Sequence, residues 1–169
     1  MNIIKFKNNK MVLIGVGALL VIGTLFFMSV EPEKDLVKGD EQYWRKKLTK
    51  EQYYVLREGG TDAPYTHKEM LDNNKPGTYV TADCGEPVFR SEQKYKSGTG
   101  WPSFWSPVSP DAVILKVDNE FGMKRTEVIG KKCGTHLGHI FDDGPEPTGK
   151  RYCINASALK FIPDDVAKE

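Results

Sequence analysis

Residues Met11–Val30, MVLIGVGALLVIGTLFFMSV, carry no charge. As a helix this run spans roughly 30 Å, the thickness of a bilayer core. It has no polar face of the kind that a buried helix in a soluble domain shows. Lys5, Lys7 and Lys10 precede it, and Glu31, Glu33 and Asp35 follow it. Basic flanks stay cytoplasmic, so the bulk of the chain is expected outside. The run is longer than a signal-peptide core, no A-x-A-like site follows it, and no cysteine lies near its end. We therefore expect an uncleaved signal anchor. Residues 1–10 are a cytoplasmic N-terminus, 11–30 a single transmembrane helix, 31–40 a polar tether, and 41–166 one domain on the extracytoplasmic side. Disulfides form and persist in such a location.

The domain is expected to be β-rich. Glycine and proline recur from residue 59 onward, and no long helical pattern appears there. Two short helices come first. Glu41–Lys47 is one. The other starts at Thr49, whose partner Gln52 completes a capping box, and it stops at Gly59-Gly60. Gly60–Pro76 is polar and turn-rich, with His67 as a solvated loop residue. Gly77–Phe89 reads as a hairpin turning near Asp83–Pro87, and Ala112–Val117 and Phe121–Ile129 read as strands. A formal net charge of +1 gives no support for nucleic-acid binding.

The chemistry gathers near the C-terminus. Cys133–Cys153 holds two of the three cysteines and two of the three histidines. Alternation in RYCIN would put Arg151, Cys153 and Asn155 on one strand face, with a cation beside the thiol. A nearby cation favours the reactive thiolate. The bland alternative is a small buried cysteine in a core strand. His136 and His139, three residues apart, support two readings. With Cys133 and Asp142 or Asp143 they could ligate a metal, although a zinc site commonly shows paired C-x-x-C spacing. Alternatively Cys153 is a nucleophile and the histidines handle protons, with Asp143 fixing one imidazole. Trp101, in the Gly/Pro-fixed loop SGTGWPSF, is either a core residue or the floor of a pocket.

The stretches LTKEQYYVLREGGTDAPY, CGEPVFRSEQKYKSGTGWPSF and CGTHLGHIFDDGPEPTGKRYCINASALKF resemble the B-type methionine sulfoxide reductases over roughly residues 43–163. The resemblance implies reduction of the R epimer of methionine sulfoxide in proteins or peptides. It implies two antiparallel sheets with short N-terminal helices, so the expected class is mainly β (a β-rich α+β fold). Cys153 falls on the family's catalytic cysteine, His136 and His139 on its active-site histidines, and Asp143 on the acid after them. Arg151 and Asn155 match the residues flanking the nucleophile. Trp101 matches the indole that receives the substrate methyl group.

The chain also departs from the family. Many members hold a structural zinc between two C-x-x-C pairs. Here Thr81 and Gly130 stand where the first cysteine of each pair would be, leaving Cys84 and Cys133. Two sulfurs do not close a tetrahedral site, so no zinc and no other cofactor is expected. Cys84 and Cys133 could instead form a structural disulfide, contributing about 4–5 kcal/mol in the chain-entropy model. Alternatively, one of them could resolve an oxidised Cys153. The family's other resolving position, two residues before the tryptophan, is Thr99. With the structural disulfide as the expectation, regeneration of Cys153 needs an external thiol such as a thioredoxin-like protein. The chain is expected to act as a monomer. A zinc-binding interaction module and an inactive binding homologue are the competing classes.

Overall fold

The computed structural model describes residues 41–119 and 122–164. The N-terminal segment, anchor and tether assigned to residues 1–40 lie outside the described residues, as do the last two residues of the assigned domain. Among the described residues no helix is long and apolar enough to cross a membrane.

Helix α1 (Glu41–Lys47) buries Trp44. Helix α2 (Lys50–Glu58) starts at the expected capping box. Thr49 Oγ1 accepts from Gln52 N–H at 3.1 Å, and Gln52 Oε1 accepts from Thr49 N–H at 3.2 Å. It ends at Gly59, whose φ of 73° is left-handed and suits glycine. Tyr53, Val55 and Leu56 are buried. The helix lies on β7 (Thr135–Phe141) and on the 3-10 turn Ala156–Ala158. Helix α3 (Lys68–Leu71) is a single turn within the segment read as loop. So short and polar a stretch shows no periodicity to reveal it.

The strands form two antiparallel sheets. In the smaller, β1 (Gly77–Thr81) lies between β2 (Pro87–Arg90) and β9 (Leu159–Pro163). The larger runs in the order β3 (Lys94–Tyr95), β4 (Ser103–Phe104), β8 (Arg151–Ile154), β7, β6 (Arg125–Gly130), β5 (Val113–Asp118). The mainly β architecture therefore matches the expectation. Strand β6 begins at Arg125 rather than Phe121, which lies outside the described residues. Strand β8 ends at Ile154, one residue before Asn155.

Aromatic side chains join the sheets. Phe89, Tyr79 and Phe161 stand opposite one another across β2, β1 and β9. Phe104 and Tyr152 stand opposite across β4 and β8. The Phe89 and Phe104 rings stack at 4.4 Å, and Tyr79 meets Phe104 edge-on at 5.0 Å. Offset and edge contacts of this kind add to simple area burial. With Tyr152 and Ile154 turned into this core, alternation turns Arg151 and Cys153 to the other face.

Cys84, in the β1–β2 turn, and Cys133, between β6 and β7, are joined by a disulfide with Cα atoms 6.4 Å apart. It ties the small sheet to the start of β7. Asp83 reinforces the tie, accepting from Cys84 N–H at 2.7 Å and from the Thr135 hydroxyl.

Candidate active site

The larger sheet carries one continuous cross-strand row: Tyr95, Ser103, Cys153, His139, Glu127 and Lys116. Directly opposed residues have Cβ atoms about 5 Å apart. Cys153 thus lies between a hydroxyl and an imidazole. It is partly buried and is the free cysteine among the described residues. Burial pushes its thiol above the ordinary value, and Arg151 and Thr99 act in the opposite direction.

Histidines three apart on a regular strand point to opposite faces. Here they share one, because β7 is bulged. Val128 pairs with Gly138 and Ile129 with His136, so Leu137 is an extra residue. The His136 and His139 rings meet edge-on with centroids 5.5 Å apart. Gly138 makes the bulge possible. Its φ is 154°, and a Cβ there would sit 2.1 Å from the Cys153 carbonyl oxygen.

Each imidazole is held by a carboxylate that sequence reasoning did not single out. His136 Nδ1 lies 2.8 Å from Glu127 Oε1, and His139 Nε2 lies 2.8 Å from Asp118 Oδ2. A carboxylate only accepts, so each of these nitrogens carries a proton. His136 Nε2 is buried with no partner among the described residues. Burial pushes the His139 imidazole below its usual value, which Asp118 partly offsets. Arg125 Nη2 also reaches Asp118 Oδ2, at 2.7 Å. These groups line a hollow of about 230 Å³ with Glu58, Gly59 and Thr61.

Asp143 does not orient either imidazole, contrary to expectation. It forms a two-pronged pair with Arg151, with both contacts at 2.8 Å. That pairing holds the Asp143 carboxyl below its usual range. The fork of the guanidinium matches the carboxylate geometry, and Arg151 is further fixed over the Phe141 ring at 4.4 Å.

Asn155 is also corrected. It does not continue the strand face of Arg151 and Cys153 but is buried at the start of the turn. Its N–H donates to the Leu137 carbonyl at 2.8 Å, its Nδ2 donates to the same oxygen at 3.2 Å, and its Oδ1 accepts from Asp62 N–H at 2.9 Å. It therefore braces the bulge rather than the sulfur.

Asp62 is a further residue without a sequence signal. Its carboxylate accepts from Ser157 N–H at 2.9 Å and from Ser157 Oγ–H at 2.6 Å. Its carbonyl accepts from the Trp101 indole N–H at 3.0 Å. Trp101 is thereby locked beside a hollow of about 170 Å³ that Tyr65, Tyr95 and Pro102 also line. Along the row, Cys153 lies between Tyr95 of this hollow and His139 of the other. His67 lies in a loop, as expected, but it is not fully solvated. It is partly buried, with Nε2 3.3 Å from Glu51 Oε1 and 3.8 Å from Asp62 Oδ2.

Around the disulfide, Asp83, Cys84 and Cys133 bring three potential donor atoms within 4.8 Å. Thr81 Oγ1 lies 3.5 Å from Cys84 Sγ and 3.8 Å from Cys133 Sγ. A Cβ on Gly130 would lie 3.0 Å from Glu86 Oε2. Glu86 thus occupies the space a side chain at 130 would enter, and burial pushes its carboxyl up.

Residues 48–163 match the SelR domain. The chain is 51% identical over 127 residues to peptide methionine sulfoxide reductase MsrB of Hahella chejuensis, covering 75% of this chain and 91% of that protein. It is 52% identical over 127 residues to the protein of the same name from Saccharophagus degradans, covering 75% and 94%. With that of Methanosarcina barkeri, identity is 48% over 133 residues, covering 79% and 93%.

Proposed function

The chain belongs to the SelR-domain family, that of the B-type methionine sulfoxide reductases, and on that premise we propose that it reduces the R epimer of methionine sulfoxide by direct attack of Cys153. Its substrates are oxidised peptides and proteins. The observation that carries this reading is the row in which Cys153 faces His139, with His136 brought to the same face by the bulge.

The Cys153 thiolate attacks the sulfoxide sulfur. The sulfoxide oxygen takes up one proton and passes to the Cys153 sulfur as its bond to the substrate sulfur and the transient sulfur–sulfur bond break. The substrate gains two electrons and leaves as methionine, and Cys153 loses two and becomes a sulfenic acid. His136 Nε2, buried and without a hydrogen-bond partner among the described residues, is suited in its imidazolium form to donate to the oxygen. Glu127 holds the opposite nitrogen and fixes the ring. Arg151 favours the thiolate over the thiol. Trp101 packs on the substrate methyl group and excludes water.

A zinc ion does not fit the residues present. The two sulfurs are bonded to each other and offer no thiolates, and Thr81 and Gly130 supply no further sulfur. The reaction as we read it needs no metal or other cofactor. An external thiol, supplied by a thioredoxin-like protein, condenses with the sulfenic acid and releases water. A second thiol then frees Cys153 and leaves as the disulfide. We place the domain on the extracytoplasmic side of a membrane, acting as a monomer. The uncharged run at residues 11–30 behind three lysines supports that placement, and so does a disulfide that suits an oxidising compartment.

Cys153→Ser tests the reading. With dithiothreitol as reductant, the variant is expected to show no measurable turnover of an R-sulfoxide peptide. Activity at the wild-type rate would remove Cys153 as the nucleophile.

A further inference from the structure

Three hydroxyl groups stand in series beside Cys153. Thr99 Oγ1 lies 3.9 Å from Cys153 Sγ, Ser97 Oγ lies 2.8 Å from Thr99 Oγ1, and Ser103 Oγ lies 2.7 Å from Ser97 Oγ. The far end of the series is the Trp101 carbonyl, 3.2 Å from Ser103 Oγ. Thr99 N–H also donates to Ser97 Oγ at 3.4 Å. Ser103 is fully buried and stands opposite Cys153 in the sheet. One end of the series can only accept a hydrogen bond. The other end is a thiol, which donates when protonated and only accepts when ionised.

We propose that Thr99, Ser97 and Ser103 form a reversible hydroxyl relay that supplies a hydrogen bond to the Cys153 sulfur when its thiol ionises. This deepens the reading of Cys153 as the nucleophile and rests on it. In the thiol state S–H donates to Thr99, Thr99 to Ser97, Ser97 to Ser103, and Ser103 to the Trp101 carbonyl. In the thiolate state every hydroxyl turns. Ser103 donates to Ser97, Ser97 to Thr99, and Thr99 to the sulfur. The thiol proton itself leaves to water, because the Trp101 carbonyl at the far end cannot take it up. Thr99 touches the reacting sulfur and is a catalytic residue, whereas Ser97 and Ser103 act through it and are positioning residues.

The sulfur needs such help because its surroundings oppose ionisation. Burial pushes the thiol up. The charged and titratable groups facing it are Arg151 on its own strand, held by Asp143, His139 on β7 and Tyr95 on β3. Arg151 alone among these is a permanent cation, and it is already shared with Asp143.

The test is the pH dependence of iodoacetamide alkylation at Cys153, read by mass spectrometry of its peptide. It uses the full chain with the Cys84–Cys133 disulfide intact. Thr99→Val keeps the shape and removes the hydroxyl. It is expected to raise the apparent pKa of the thiol by about one unit, slowing alkylation at neutral pH about tenfold. Thr99→Ser is expected to titrate as wild type. Ser103→Ala is expected to shift the profile the same way and slow alkylation about threefold. Ser97→Ala gives the same test if the buried Ser103 substitution unfolds the domain. A Thr99→Val profile that matches wild type overturns the proposal. A shift for Thr99→Val with none for Ser103→Ala or Ser97→Ala also overturns it, because Thr99 would then be a lone donor. Alkylation needs no sulfoxide, so the two readings fail separately. Wild-type protein that cannot reduce methionine sulfoxide sinks the nucleophile reading. Wild-type protein that can, alongside variants that titrate alike, sinks the relay alone.

Discussion

Cys153 and His139 stand directly opposite each other on β8 and β7, and the backbone between them is closed so tightly that position 138 admits only glycine. A Cβ at Gly138 would lie 2.1 Å from the Cys153 carbonyl oxygen. The bulge that gathers the histidines and the strand that carries Cys153 are therefore one packing unit.

Gly138→Ala should break that unit. Overpacking against backbone, added to a φ that side chains rarely adopt, is expected to destabilise the domain by about 3 kcal/mol. Urea denaturation measures this. Sulfoxide turnover is expected to fall even where the variant remains folded, because moving the bulge returns His136 to the other face.

Asp118→Asn tests the electrostatics of His139. Burial depresses this imidazole and Asp118 partly restores it. Removing the carboxylate leaves Arg125 nearby, so the pKa is expected to fall further. Imidazole NMR signals followed through a pH titration read this directly. The stability consequence has a definite sign. A histidine whose folded pKa lies below its unfolded value of about 6.5 binds more protons when unfolded. Its contribution is fully present above that value and declines as pH falls toward the folded pKa. The variant should therefore lose stability on acidification over a wider range than wild type.

The double variant Cys84→Ser with Cys133→Ser separates staple from resolving pair. The disulfide closes a sequence separation of 49 residues. Its loss is expected to cost about 4–5 kcal/mol by chemical denaturation. Dithiothreitol-driven turnover should persist wherever the variant stays folded. Loss of turnover confined to assays with a protein reductant would contradict the structural role.

How much of this was legible in the sequence differs by residue. Helix α2 could be bounded at both ends because Thr49, Gln52 and Gly59 act locally. Cys153, His136, His139 and Trp101 stood out from residue type and family motif. Glu127 and Asp118 did not, since they reach the histidines through the pairing of β5, β6 and β7, and register is a property of the assembled sheet. The same cause misdirected Asp143. It is near the histidines in sequence, but its strand end brings it to Arg151. Asn155 was placed on the face of Cys153 by alternation, and the early end of β8 turned it inward. Asp62, in a stretch with no periodicity, has no local mark of its contacts to Trp101 and Ser157.

The proposed attack leaves Cys153, and no other cysteine, as a sulfenic acid. One turnover without reductant, followed by dimedone labelling and mass mapping of the cysteines, reads that outcome. The expected result is about one methionine formed per chain, with the dimedone adduct on Cys153 and the Cys84–Cys133 disulfide unchanged. Methionine formed with Cys153 unlabelled and unmodified would contradict it.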